Sequence, residues 1–172
     1  YKNTNAEFIV DKCRSWTLPA NMEMIKQYVT NQPKVIVLTR PVDEIVESFV
    51  RLRKANNWQG DLESDLMIPD SEPIMRSLSG VEWAKENNNG EFLFIEYADL
   101  VNFADEVLKS IYDFFGIDFF EHDFNNVINN YPENDAVYDL LGQHDIRSKV
   151  EEYFYDSEND VFVAPVVEEV AE

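Results

Sequence analysis

The sequence predicts an α/β protein, a parallel sheet flanked by helices in layers. Three short apolar runs, at 7–11, 34–39 and 91–96, are each followed by stretches of helical period. Strands that alternate with helical crossovers build parallel sheets. The central run, Lys34-Val35-Ile36-Val37-Leu38-Thr39, is β-branched and nearly continuous, the pattern of a strand buried on both faces. With 172 residues, 45% hydrophobic and 13% aromatic, the chain has the size and apolar content for a folded core.

The elements follow in order. Residues 7–11 read as a strand ending at Lys12, and 20–29 as a helix with Met22, Ile25 and Val29 on one face. After the strand 34–39, Pro41 suits the first position of a helix over 41–55, where its missing N–H costs nothing. Asp43 and Glu44 favour the positive end of that helix's dipole, and its apolar face runs through Val42, Ile45, Val46, Phe49 and Leu52. Residues 56–69 read as an exposed loop. A helix is expected over 71–87, in spite of Gly80 inside it, and it ends at Asn87-Asn88-Asn89-Gly90. The third strand is Glu91–Glu96. A helix over 103–115 stops at Gly116, and a short helix is expected near 121–129. The domain is expected over 1–150, followed by an acidic segment at 151–172, and no internal repeat is visible.

Parallel strands deliver their exits to one edge of the sheet, where open α/β folds bind ligands. The first exit carries Asp11-Lys12-Cys13-Arg14, the second Arg40 and the third Tyr97. Three bases there, in a chain with 14 bases against 34 acids, point to an anionic ligand. Arg40 with the hydroxyl of Ser48 eight residues later suits a phosphate. Tyr97 offers a flat face for a base. The competing readings are a solvated arginine at an ordinary turn, and Lys12 and Arg14 paired with local acids.

The segment Thr39-Arg40-Pro41 to Ser48-Phe49 also resembles the 3′-phosphate element of sulfotransferases that use 3′-phosphoadenylyl sulfate (PAPS). The resemblance implies that Arg40 and Ser48 contact the nucleotide's 3′-phosphate. Asp11-Lys12-Cys13-Arg14-Ser15-Trp16 resembles the Asp-Lys-x-Arg-x-Trp turn of bacterial and phage-type members, which implies that Lys12 lies at the sulfuryl group or the acceptor; Arg14, a base at the same strand exit, is a candidate cofactor-binding residue. Tyr97-Ala98-Asp99-Leu100 is similar to the family's Tyr-Glu-Asp-Leu signature, with Ala98 in place of Glu, and implies that Tyr97 lies near the adenine. Leu108–Gly116 resembles the helix that follows, and His144–Arg147 a late basic loop that would bring Arg147 to the cofactor. The fold implied is the P-loop-type sulfotransferase fold, incomplete at its N-terminus. No Gly-containing phosphate loop precedes Lys12, so the expectation is that an upstream portion carries it, or that the protein is a remnant.

The expected activity is transfer of a sulfuryl group from PAPS to a hydroxyl or amine, with no metal. The alternative is a non-catalytic sulfotransferase-like structural or interaction module. His122 and His144 lack partners at metal spacing, and Cys13 alone excludes an internal disulfide, so a reducing, cytoplasmic setting is expected. A net charge of −20, with no Lys or Arg after Lys149, disfavours nucleic acid and anionic membrane and favours a small or neutral acceptor. No apolar run approaches the roughly 20 residues of a membrane span. A partner chain or an upstream segment is expected to complete the sheet. The aromatic group Phe114, Phe115, Phe119, Phe120 and Phe124 reads as core packing.

Overall fold

The computed structural model describes residues 8–128, 130, 154–156 and 161–163. Their elements are α1 (Pro19–Tyr28), β1 (Val35–Thr39), α2 (Val42–Ala55), α3 (Met75–Glu86), β2 (Phe92–Glu96), α4 (Tyr97–Asn102), α5 (Ala104–Phe115), β3 (Phe154–Asp156) and β4 (Val161–Val163). β1 and β2 pair in parallel, with Val35 opposite Phe92 and Thr39 opposite Glu96. Helices flank this sheet, so the α/β layered class stands. β3 and β4 form a separate antiparallel pair. That pair falls in the stretch read from sequence as an acidic segment, where short Phe-Tyr and Val-Phe-Val runs are the local signal for it.

Residues opposite each other in a sheet share a face, so Val35, Val37, Phe92 and Phe94 lie together. α1 and α3 cover that face. Met22, Val37, Ala84 and Phe92 form the buried centre, with Ile25, Val81 and Trp83 packed around it. Gly80 is required here by space. A Cβ at that position would sit 2.5 Å from Thr17 Oγ1 and 3.3 Å from the Thr17 carbonyl carbon, so glycine lets α3 approach the turn before α1.

The opposite face of β1 departs from the sequence expectation. Ile36 and Leu38 are 36% and 50% exposed, so β1 is buried on one face among the described residues. A continuous apolar run reports β propensity, and burial of its second face needs an element to lie over it. α4 and α5 lie against β2, whose Ile95 on this side is buried.

A second core forms where α2 meets α3. Val50, Leu66 and Ile74 are buried, and Val42, Ile45, Val46, Phe49, Leu62 and Leu78 pack against them. Leu66 is fully buried, so the segment read as an exposed loop supplies the centre of this core. Arg53 holds the loop there, donating from Nη1 to the Leu62 carbonyl at 3.1 Å and from both terminal nitrogens to the Asp65 carboxylate. Trp58 lies against the same guanidinium.

Helix ends follow local chemistry. The Pro41 carbonyl accepts from Ile45 N–H, so proline is the N-cap, one residue earlier than expected. α3 starts two residues past Pro73, a residue tolerated only near a helix start. Gly116, at φ +70°, ends α5; it donates to Asp113 O while Ile117 donates to Tyr112 O, a Schellman closure.

Two predicted elements are not found. Residues 8–11 form no strand, and Phe8, Ile9 and Val10 are exposed, because β-prone residues make a strand only when a ladder partner is beside them. Residue 7 lies outside the described residues. In place of the helix near 121–129 there is a turn at 124–125 within 121–128, and residue 129 lies outside the described residues. Asp123 accepts from Asn125 N–H at its carboxylate and from Asn126 N–H at its carbonyl, a local bonding pattern that competes with helix. Phe119 and Phe120 are exposed and gather with Tyr112 and Phe124 around His122, a surface aromatic group rather than core.

Candidate functional site at the carboxyl edge of the sheet

The parallel register that sets Thr39 opposite Glu96 advances by one residue to set Arg40 beside Tyr97. The Arg40 guanidinium lies over the Tyr97 ring, 5.2 Å from its centroid. Chain direction and register are therefore enough to join two residues 57 positions apart. Thr39 Oγ1 donates to the Ile95 carbonyl at 3.2 Å and ties the two strand ends together just before the exits.

Arg40 is not a solvated arginine. Its side chain is 24% exposed, and its Nε donates to Glu44 Oε2 at 2.6 Å. Glu44 follows at i+4 and is 15% exposed. Sequence reasoning placed Glu44 in the helix dipole alone; the i,i+4 spacing to Arg40 was the available signal for the pair. Ser48 follows at i+8 and is half-buried at the border of the apolar face. Its hydroxyl makes no hydrogen bond among the described residues, whereas Ser77, Ser79 and Ser110 all bond back to a carbonyl one turn earlier. Arg40, Glu44 and Ser48 thus form one stripe, from the strand exit to the second turn of α2.

Lys12 and Arg14 take a different position. They are exposed in the irregular segment and turn ahead of α1, and neither forms an ion pair among the described residues. Among the described residues no acid forms an ion pair with either of them, and no described hydrogen bond or ring contact joins them to Arg40 or Tyr97. Cys13 between them approaches Ser15 Oγ at 2.9 Å. Arg147 lies outside the described residues. The geometry at the edge therefore offers a held guanidinium, an aromatic face and a hydroxyl, a donor set that fits a phosphorylated nucleotide.

Among the described residues there is no group of three or more His, Cys, Asp or Glu placed to hold a metal. No described helix is long and apolar enough to cross a membrane.

Residues 1–121 match the model of the sulfotransferase family. This chain belongs to that family. Among solved structures, it is similar to the sulfotransferase domain from the curacin biosynthetic pathway, with 21% identity and a TM-score of 0.51. The match covers 67% of this chain and 41% of that domain, so the chain spans about two-fifths of its structural relative. At that identity the likeness concerns the fold. No curated protein sequence matches the chain.

Proposed function

We propose that the chain serves sulfuryl transfer from PAPS to a hydroxyl or amine. The observation that carries this is the pairing of Arg40 with Tyr97 at the carboxyl edge of the parallel sheet. Arg40 and Ser48 hold the 3′-phosphate, and Tyr97 lies on the adenine side. Lys12, exposed and without an ion pair among the described residues, faces the transferring group, with Arg14 and Arg147 contributing charge toward the nucleotide. In the reaction the acceptor atom bonds to sulfur as the bond from sulfur to the 5′-phosphate oxygen breaks. Adenosine 3′,5′-bisphosphate leaves, and the acceptor's proton passes to a base not assigned in this chain. Positioning and charge stabilisation do most of the work, and no metal is needed.

The acceptor is small or neutral. At a net charge of −20, long-range repulsion slows the approach of a polyanion. The lone cysteine and the acidic balance suit a cytoplasmic setting.

Calorimetry with adenosine 3′,5′-bisphosphate and 5′-AMP tests the nucleotide site. A charge-assisted contact is worth about 1.5–3 kcal/mol, so the bisphosphate should bind about 10- to 150-fold more tightly. Equal affinities would overturn the assignment and favour a non-catalytic module.

A further inference from the structure

We infer that Glu44 is a positioning residue that pre-sets the Arg40 guanidinium for an anionic group at the strand exit. The inference rests on the reading of Arg40 as the 3′-phosphate ligand and assigns the residue that makes it selective. Three observations carry it. Arg40 Nε donates to Glu44 Oε2 at 2.6 Å, so one edge of the guanidinium is fixed. The Tyr97 ring, at the start of α4 just past the neighbouring strand, lies against the same group, so its plane is constrained from a second element. Glu44 also stands between Arg40 and Ser48 on the stripe, about 6 Å along the helix from the serine.

The charge balance is the difficulty, because a carboxylate beside a phosphate repels it. Glu44 is less exposed than Arg40, 15% against 24%, so the acid is the more shielded of the two side chains. The carboxylate takes one of five guanidinium donors. Its charge is offset by the arginine that it orients. An arginine held before binding loses little side-chain freedom on binding, which is where pre-organisation raises affinity.

Glu44→Ala and Glu44→Gln in the full chain separate the alternatives. The probes are adenosine 3′,5′-bisphosphate and 5′-AMP, with thermal unfolding followed in parallel. Immobilising one such side chain corresponds to about 2- to 12-fold in affinity. Glu44→Ala should lower the preference for the bisphosphate by that factor. Glu44→Gln, which keeps an oxygen acceptor for Nε–H, should restore most of it, and 5′-AMP affinity should move little in either variant. A Glu44→Ala preference that is unchanged or larger would overturn the inference and make Glu44 a bystander or a competitor of the phosphate. A loss not rescued by Gln would overturn it too, since a positioning bond survives that change. If the wild-type chain itself shows no preference, the phosphate assignment of Arg40 fails instead.

Discussion

Two basic turns of this molecule, at 12–14 and at 40, look alike in sequence and differ in structure. Each follows an apolar run and each resembles a sulfotransferase motif. Arg40 ends a strand with a ladder partner, and the register delivers Tyr97 to it and α2 delivers Glu44. Lys12 and Arg14 follow a run that pairs with nothing among the described residues, and they remain exposed and without ion pairs. A motif supplies residue types; a hydrogen-bonded register supplies their neighbours. The contrast predicts that damage to the sheet reaches the Arg40 edge and spares the first turn.

The largest expected effect tests that directly. Phe92 is 5% exposed, at the centre of the covered face, and Phe92→Ala should cost about 3–5 kcal/mol in chemical denaturation. Val10→Ser, in the exposed run, should stay within about 0.5 kcal/mol. A similar loss from both would mean that residues 8–10 pack against the fold.

Next is the binding contrast. Arg40→Ala should erase most of the 3′-phosphate preference, a loss of about 1.5–3 kcal/mol measured by calorimetry. Lys12→Ala and Arg14→Ala should leave that preference nearly unchanged, because among the described residues neither is hydrogen-bonded or ion-paired to Arg40, Ser48 or Tyr97. Loss of selectivity in the Lys12 variant would place the first turn on the 3′-phosphate.

Smaller is the effect of Gly80→Ala. Overpacking against Thr17 costs about 1–3 kcal/mol, offset by about 1 kcal/mol of helix propensity, so a net loss near 1 kcal/mol is expected from thermal melts. A gain in stability would show that the turn before α1 yields easily.

The smallest effect is pH-dependent and concerns the other end of the sheet. Glu91 accepts from Lys26 Nζ at 2.7 Å, tying α1 to the entry of β2. That hydrogen bond, then the Asn89 N–H and the lysine charge, hold the Glu91 carboxyl below the ordinary glutamate range, against an opposing effect of burial. Because the folded value is depressed, the stabilisation is complete above the unfolded-state value. It is lost as pH falls through the folded value. Melting temperatures taken from neutral pH to about pH 3 should fall more steeply in the wild type than in Lys26→Met. The pair lies at the surface and is worth about 0–1 kcal/mol, so parallel curves would mean that it contributes nothing.

The sequence by itself determined the class of fold, the two paired strands and most helices of the layer around them. Those features are local: β-branched runs, apolar residues recurring at helical spacing, and Gly116, whose positive φ closes α5. It also located Arg40 and Tyr97 at strand exits, since a strand's direction fixes where its end lies. Tertiary structure decided what local pattern cannot encode. Phe8-Ile9-Val10 has the composition of a strand and no partner among the described residues, Ile36 and Leu38 have the composition of core and lie exposed, and Leu66 sits in a loop and is fully buried. Burial and pairing belong to the pair of surfaces that meet, and only the folded chain brings a second surface to the first. The Arg40–Glu44 pair falls between the two: its spacing was legible, and its partial burial, which sets it apart from an exposed surface ion pair, belongs to the folded chain.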